Sequence, residues 1–291
     1  MATRPDWVDG TLYPFADHWR DIDGHEVHYL DVGDGPTLLL LHGNPTWSFL
    51  YRDVIARLAP GYRCVAPDYP GFGLSTPAWN YDGAPSSHAD VLEQLVVELD
   101  LRDVVLVVHD WGGPIGFAMA GRHPERFRGV VITNTWAWPL DGDPWVGLFS
   151  RLAGNPLSRE LTRRANLFVN GALPTATTTK LSSEVMQHYR MPFPTPESRR
   201  FTARLPRDLV REKDLELEAA QAVVTLSGRP ALIVWGGRDP LFPPRVRKRF
   251  ENAFPDHRSW VLEDASHFLQ EDAPHELAAA IDEWHGNTFP S

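Results

Sequence analysis

Asp110 stands in a strand-to-helix turn, within the stretch His109-Asp110-Trp111-Gly112-Gly113. The apolar run before this stretch predicts a strand and the residues after it predict a helix, so the turn lifts the central residue above the end of the sheet. A carboxylate there is ionised at neutral pH and needs no base before it attacks. It suits an sp³ carbon that bears a leaving group, and the attack gives an ester that water must then hydrolyse. The alternative is that Asp110 only caps the following helix.

Asp239 and His267 follow later predicted strands, in the order that a nucleophile–acid–histidine triad requires. Asp239 comes after the apolar run Ala231 to Trp235, and His267 comes after Ser259 to Leu262. Because the carboxyl ends of parallel strands meet at one edge of a sheet, we expect both side chains close to Asp110. His267 is then the predicted general base, and Asp239 is the predicted acid that orients it.

Asn134 occupies a second position at which the acid of such a triad can stand, after the predicted strand Gly129 to Thr133. An amide carries no charge to stabilise an imidazolium, so Asp239 is the predicted acid. A serine nucleophile is excluded, because the chain contains no G-x-S-x-G sequence. The nearest imitation, Gly73-Leu74-Ser75-Thr76-Pro77, lacks the second glycine and has no strand immediately before it.

Asn44 and Trp111 are predicted to donate hydrogen bonds beside Asp110. Asn44 follows the predicted strand Thr37 to Leu41, and the backbone N–H groups of Asn44 and Trp111 are placed to form an oxyanion hole. The side-chain NH₂ of Asn44 and the indole N–H of Trp111 are neutral donors, which can hold a leaving halide without trapping it. The alternative is that Asn44 is a turn residue before Pro45 and that Trp111 belongs to the core.

The elements that must position these residues are short apolar runs alternating with longer amphipathic stretches, as in βαβ units. His25 to Val32 alternates between polar and apolar residues and is predicted to be a half-exposed edge strand. The other predicted strands are Thr37 to Leu41, Arg63 to Ala66, Asp103 to Val108, Gly129 to Thr133, Ala231 to Trp235 and Ser259 to Leu262. The predicted helices of the core are Trp47 to Leu58, Ser86 to Leu99, Gly113 to Arg122, Arg245 to Ala253 and Pro274 to Trp284.

Residues 136–227 interrupt this alternation with many prolines, several helical pieces and no clear strand. The apolar residues of so long a segment need a surface to cover, so it is predicted to be a helical cap inserted between sheet strands. Residues 1–135 and 228–291 then form the core. The cap side chains predicted to line a substrate pocket are Trp138, Phe149, Phe168 and Leu173, although each is equally consistent with the core of the cap.

Composition excludes several classes of protein. The 291 residues carry 28 basic and 38 acidic side chains, a formal net charge of −10, which makes nucleic acid an unsuitable partner. The apolar runs are far shorter than the roughly 18 residues that span a membrane, and the N-terminal residues lack a secretory pattern, so a cytoplasmic location is expected. The single cysteine, Cys64, excludes an intramolecular disulfide and a multi-thiolate metal site. Eleven tryptophans and the proline-rich cap leave room for exposed apolar surface and self-association.

The chain resembles the haloalkane dehalogenases of the α/β-hydrolase superfamily. The resemblance covers roughly residues 10–135 and 225–285 and is weaker in the cap. The stretches that carry it are His42-Gly43-Asn44-Pro45-Thr46-Trp47-Ser48, Asp68-Tyr69-Pro70-Gly71-Phe72-Gly73-Leu74-Ser75, His109-Asp110-Trp111-Gly112-Gly113 and Ser266-His267-Phe268-Leu269-Gln270-Glu271-Asp272.

This resemblance implies an α/β-hydrolase fold, with a mostly parallel central sheet flanked by helices and a helical cap. It implies that Asp110 is the nucleophile, His267 the base, and Asn44 and Trp111 the halide-binding residues. The substrates would be a small halogenated alkane and water, the products an alcohol, halide and a proton, and no metal or organic cofactor is called for. Asn134 with Asp239 resembles the branches whose acid follows the later strand. Asn44 departs from the branch that binds halide with a cap tryptophan, so the combination resembles the third branch.

Four alternatives remain beside this one. An epoxide hydrolase shares the aspartate nucleophile but uses cap tyrosines, and the cap contains only Tyr189. A fluoroacetate dehalogenase would carry arginines after the nucleophile, where this chain has Trp111 and Gly112. A coelenterazine-type luciferase, an oxygenase with a similar constellation, is not separated by the motifs. A ligand-binding relative without turnover is disfavoured by the complete triad.

Overall fold

The computed structural model describes residues 3–140 and 142–290 and contains an eight-stranded sheet in the order β1-β2-β4-β3-β5-β6-β7-β8. The strands are β1 Asp17–Ile22, β2 His25–Val32, β3 Thr37–Leu41, β4 Arg63–Pro67, β5 Val104–Asp110, β6 Phe127–Thr135, β7 Ala231–Gly236 and β8 His257–Leu262. β2 pairs antiparallel with β1 and β4, and the other pairs are parallel. The α/β-hydrolase fold predicted from the sequence is therefore confirmed.

The prediction that His25–Val32 is an edge strand is wrong. β1, which the sequence did not predict, pairs with it from Asp17↔Leu30 to Ile22↔His25 and forms the edge itself. The sequence of β1, DHWRDI, has no apolar run because the strand is largely exposed or half-buried. Only its partner strand makes it a strand, through main-chain hydrogen bonds that any sequence can form.

Helices flank the sheet on the predicted stretches. They are α1 Arg52–Leu58, preceded by a 3₁₀ turn at Ser48–Tyr51, α2 Pro85–Glu98, α3 Gly112–Arg122, α10 Pro244–Ala253 and α12 Pro274–Thr288. A 3₁₀ turn at Pro124–Arg126 precedes β6, and the short helix α11 Leu269–Asp272 follows the loop of His267. Two central strands, β5 and β7, are buried along their whole length. This burial on both faces explains why their sequences are continuous apolar runs.

Helices fill the predicted cap. They are α4 Pro144–Ala153, α5 Pro156–Ala165, a π-helical turn at Phe168–Ala172, α6 Leu173–Thr175, α7 Ser183–Arg190, α8 Arg200–Asp208 and α9 Lys213–Leu226. The α4 and α5 helices begin at a proline and are capped by the side chains of Asp143 and Asn155, which accept hydrogen bonds from free backbone N–H groups.

The last of these helices, α9, packs against α3. The approach is close, because a Cβ on Gly121 would lie 2.6 Å from Cβ of Ala222. The 136–227 segment therefore ends in a helix that flanks the sheet. Among the described residues, no helix combines the length and the apolar character that crossing a membrane requires.

Candidate active site

Asp110 has a backbone φ of +50°, a left-handed conformation that places its side chain at the apex of the turn between β5 and α3. The glycines around it allow this geometry. A Cβ on Gly43 would lie 2.2 Å from Oδ1 of Asp110, and a Cβ on Gly112 would lie 2.4 Å from the carbonyl oxygen of Leu41. A Cβ on Gly113 would lie 1.9 Å from Oγ1 of Thr135. Each would collide with its neighbour, so the sequence pattern around Asp110 is a steric requirement.

The Asp110 carboxylate is buried and is held from two sides. The backbone N–H of Asn44 donates a hydrogen bond of 2.7 Å to Oδ1, and Nε2 of His267 lies 3.6 Å from Oδ2. Burial raises the pKa of Asp110, but the interactions with His267 and with the backbone N–H of Trp111 outweigh it, and the pKa lies below the ordinary 3.8. Asp110 is therefore ionised at neutral pH, as attack on carbon requires.

His267 lies between Asp110 and Asp239, as the sequence predicts for these positions. Its Nδ1 is 3.0 Å from Oδ2 of Asp239, and both side chains are almost completely buried. Burial lowers the pKa of the imidazole, but the charge of Asp239 and the contact with Asp110 raise the pKa of His267 to about 10. The resting site thus holds an imidazolium between two carboxylates.

Asp239 in turn is fixed by four hydrogen bonds. Its Oδ1 accepts from the backbone N–H groups of Leu241, at 2.7 Å, and Phe242, at 3.2 Å. Its Oδ2 is shared between His267 and Nδ2 of Asn134, which donates at 2.6 Å. These bonds and the imidazolium favour the carboxylate, so the pKa of Asp239 is below its ordinary value in spite of burial.

Asn134 contributes to the site in a way that reasoning from the sequence missed. Besides donating to Asp239, its Oδ1 accepts a hydrogen bond of 2.8 Å from the backbone N–H of Gly236, so it ties the end of β6 to the end of β7. Its φ of +33° directs the strand end toward this contact. Its position at the carboxyl end of β6, at the same edge of the sheet as Asp110, was the available signal.

A second buried histidine, His109, packs against the ring of His267 with centroids 4.7 Å apart. Burial lowers the pKa of His109 to about 3, so this ring is neutral. A neutral ring fills the space behind His267 without adding a second positive charge beside the imidazolium.

The triad opens into a cavity of about 890 Å³ between the core and the cap. Asn44 and Trp111 line it beside Asp110, and Phe149 and Phe168 line its cap side. The remaining lining residues are Pro45, Leu140, Trp145, Val146, Leu152, Ala153, Ser158, Leu161, Thr162, Leu167, Ala172, Ala176, Pro206, Leu209, Pro240, Leu241, Phe242, Pro243, Arg245 and Phe268, with His267 at the base.

Two of the four cap residues predicted to line the pocket lie elsewhere. Trp138 is buried against Phe250, with ring centroids 4.6 Å apart, and Leu173 is completely buried within the cap. Both belong to the hydrophobic core, the alternative that the sequence left open for each of them. They belong to the apolar interior because the helix and loop that carry them turn these side chains toward neighbouring elements instead of the cavity.

The side chains of Asn44 and Trp111 have hydrogen-bonding capacity to spare on the cavity side. Nδ2 of Asn44 has only a long contact, 3.5 Å, with the carbonyl oxygen of Thr202. The indole N–H of Trp111 makes no hydrogen bond within the described ranges of the chain. The indole ring itself is fixed edge-on against Trp136, with centroids 4.8 Å apart. Asn44 and Trp111, whose side chains both carry neutral N–H donors, therefore line the cavity beside the Asp110 carboxylate.

Comparison with known proteins agrees with this geometry. A profile of the alpha/beta hydrolase fold matches residues 36–274. Haloalkane dehalogenase 2 of Mycobacterium tuberculosis is 43% identical over 280 residues, which cover 96% of this chain and 98% of that protein.

The cis-3-alkyl-4-alkyloxetan-2-one decarboxylase of Xanthomonas campestris is 33% identical, with 92% of this chain and 95% of that protein covered. Among solved structures, the haloalkane dehalogenase DbeA from Bradyrhizobium elkani superposes with a TM-score of 0.85 at 29% identity, covering 94% and 98% of the two chains.

Proposed function

The chain belongs to the haloalkane dehalogenases of the α/β-hydrolase family, and we propose that Asp110, His267 and Asp239 hydrolyse carbon–halogen bonds through an ester of Asp110. One observation carries the proposal. An ionised, buried carboxylate at the apex of the turn faces an apolar cavity with two neutral N–H donors beside it and an imidazolium behind it. Such a site favours displacement at an apolar carbon over acid-assisted ring opening or acyl transfer.

In the first half of the reaction an oxygen of Asp110 attacks the halogen-bearing carbon from the side opposite the halogen. A carbon–oxygen bond forms, the carbon–halogen bond breaks, and the electron pair of the broken bond leaves with the halide. The Asn44 amide and the Trp111 indole N–H hold the departing anion. No proton moves in this step, because the nucleophile is already ionised.

The first step also prepares the second. Alkylation turns the Asp110 carboxylate into a neutral ester, which removes one of the two negative charges that hold the proton on His267. With its pKa lowered, His267 releases that proton to water in the cavity, which accounts for the proton among the products, and becomes a base. It then takes a proton from water, which attacks the carboxyl carbon of Asp110, while the backbone N–H groups of Asn44 and Trp111 stabilise the oxyanion. The bond between the carboxyl carbon and the alkyl oxygen then breaks, the leaving oxygen takes a proton from the imidazolium, and the carboxyl group of Asp110 returns a proton to His267. The net products are alcohol, halide and a proton.

The position of Tyr189 disfavours the epoxide hydrolase alternative. Opening an epoxide needs a proton donor at the leaving oxygen, and Tyr189 is the tyrosine of the cap. It is completely buried, donates its hydroxyl proton to Glu271, and is absent from the residues that line the cavity. It therefore has no access to a substrate held by Asp110.

Halide release tests the proposal. Purified protein is incubated with 1-bromobutane, 1-iodohexane and 1,2-dibromoethane, and halide is measured by ion chromatography beside the Asp110→Ala variant. We expect release by the wild type and none above background by the variant. With His267→Ala, we expect one halide per active site and a persistent alkyl adduct on the peptide containing Asp110, detected by mass spectrometry.

Three other substrates make the result decisive. Diol formation from styrene oxide without halide release would refute the proposal in favour of an epoxide hydrolase. Carbon dioxide release from a cis-3,4-dialkyloxetan-2-one without halide release would refute it in favour of the activity for which the Xanthomonas relative is named. Light emission with coelenterazine, again without halide release, would indicate the luciferase-like alternative.

A further inference from the structure

The outer part of the active-site cavity is formed by large apolar side chains that are exposed to solvent. Trp145 and Leu152 of α4 are 76% and 61% exposed, and Leu161 of α5 is 55% exposed. These side chains also line the cavity, so it opens to solvent between α4 and α5. We call the exposed lining residues the apolar rim, which consists of Trp145, Phe149, Leu152, Leu161, Leu167 and Leu241.

We propose that the active site takes long-chain primary alkyl halides, of about ten carbons or more, whose alkyl tail lies along the apolar rim. This inference rests on the proposed function and specifies its substrate class. The reacting carbon lies at Asp110, and the tail extends through the cavity toward α4 and α5.

Cavity size supports a long substrate. Ligand pockets in proteins measure about 300–1,000 Å³ and enclose most of a ligand of drug size. At about 890 Å³, this cavity is near the upper end of that range. A four-carbon halide fills only its inner end, beside Asp110 and Trp111, and leaves the cap half of the cavity without a ligand.

The chemistry of the lining indicates that the distal part of the substrate is apolar. The polar side chains of the outer lining are Ser158, Thr162 and Arg245. Arg245 donates a hydrogen bond of 2.6 Å to Asp143, and Oγ of Ser158 accepts one of 2.9 Å from Asn155. Thr162 is a buried, uncharged hydroxyl. The outer lining within the described residues therefore presents no unpaired charge for a polar head group.

An apolar ligand that covers the exposed side chains of the apolar rim removes apolar surface from water, and this favours binding. Full burial of one methylene group of the ligand raises its binding affinity about fourfold, and burial against a half-exposed surface raises the affinity about twofold. Six additional methylenes along the rim would then raise kcat/KM by about 60-fold. A second copy of this chain is the competing occupant of the rim. It would cover the opening of the cavity that contains Asp110, so we assign the rim to the substrate.

Competition between chain lengths tests the inference. The His267→Ala variant is incubated with 1-bromohexane and 1-bromododecane at equal dissolved concentrations, kept constant by a cyclodextrin reservoir. The two alkyl adducts on Asp110 are then quantified in the same sample by intact mass. We expect the dodecyl adduct to form about 60-fold faster than the hexyl adduct. The hexyl adduct shows that the variant is folded and reactive.

Rim variants localise the effect. Leu152→Asn and Leu161→Asn, each combined with His267→Ala, replace exposed side chains and are expected to lower the dodecyl-to-hexyl ratio about tenfold. Leu217→Asn is the matched control, because Leu217 is half-exposed on α9 and does not line the cavity. This variant is expected to keep the wild-type ratio.

Three results would overturn the inference. Equal or hexyl-favoured adducts would refute it and leave the proposed function intact. A flat ratio together with concentration-dependent sedimentation would assign the rim to self-association. The absence of an adduct at any chain length would refute the proposed function itself, and the inference with it.

Discussion

Replacing Asp239 with asparagine removes one negative charge from the site and leaves its shape nearly unchanged. An amide oxygen at position 239 can still accept from the Leu241 and Phe242 N–H groups, while its NH₂ then faces Nδ2 of Asn134 and Nδ1 of His267. What is lost is the carboxylate that lies 3.0 Å from Nδ1 of His267. The variant therefore separates the electrostatic contribution of Asp239 from its contribution to packing.

The size of the expected loss of activity follows from the distance between the Asp239 carboxylate and the imidazolium of His267. Opposite charges about 4 Å apart attract by about 4 kcal/mol at an effective dielectric constant of about 20. That energy corresponds to about a 10³-fold loss in the proton affinity of His267. The imidazole also loses the acceptor that selects its tautomer, and the analogous change in a serine triad lowers kcat by about 10⁴. We expect kcat to fall between about 10³-fold and 10⁴-fold.

The Asp239→Asn substitution is expected to slow the second half of the reaction, the hydrolysis of the ester. Attack by Asp110 needs no proton transfer, so Asp239→Asn should release one bromide per active site and then accumulate the alkyl ester. Rapid-quench measurement of bromide, with intact mass spectrometry on the same samples, resolves the two steps. Accumulated adduct also proves that the variant is folded.

Asp264→Asn provides the matched control. Asp264 lies in the loop before His267, but its side chain is highly exposed and paired with Arg238. We expect wild-type kinetics from this variant. Turnover of Asp239→Asn within tenfold of wild type, without accumulated ester, would refute the assignment of Asp239 as the acid of the triad.

Three further predictions concern the surroundings of the triad. Asn134→Ala removes the donor that lies 2.6 Å from Asp239. It should lower kcat about tenfold with KM nearly unchanged, since one hydrogen bond to a charged group is worth about 1.5–3 kcal/mol. Steady-state kinetics that show only a higher KM would contradict this prediction. The pKa of His267 is raised to about 10, so its contribution to the free energy of unfolding is complete below pH 6.5 and is lost as the pH rises toward 10, at up to about 1.4 kcal/mol per pH unit. Urea unfolding at pH 6, 8 and 10 should show this decline, and the decline should be absent in His267→Gln. Tyr189→Phe should destabilise the fold by about 1–3 kcal/mol, because the buried Glu271 loses a hydrogen-bond donor. The rate of halide release from 1-bromobutane should stay within twofold of the wild-type rate. A large loss of kcat in a stably folded variant would mean that the hydroxyl acts in the reaction.

The central part of the fold could be predicted because its signals are local. The continuous apolar runs of β3, β5 and β7 follow from burial on both faces, and they predict the ends of these strands to within two residues. The edge was not predictable in this way. β1 has no apolar run, and its pairing with β2 is made by main-chain atoms that leave no trace in the residue types.

The orientation of the cap could not be predicted either. Phe149 and Trp138 are both large and apolar, yet one lines the cavity and the other packs against Phe250. Their residue types satisfy the hydrophobic requirement of either position. Which one faces the cavity depends on how each segment is rotated over the core, and that is set by packing between elements distant in sequence.

The sequence by itself determined which residues are candidates for the site: a carboxylate at a turn that only glycine neighbours permit, a histidine and an acid after later strands, and two neutral donors. These are consequences of local sterics and of strand order, which single residues encode. The tertiary structure decided two features that no residue type encodes. Asn134 donates a hydrogen bond to Asp239, 105 residues later in the chain, and α4 and α5 leave an apolar rim open to solvent. Both depend on contacts between remote segments, where the free energy is set by distance, burial and relative orientation.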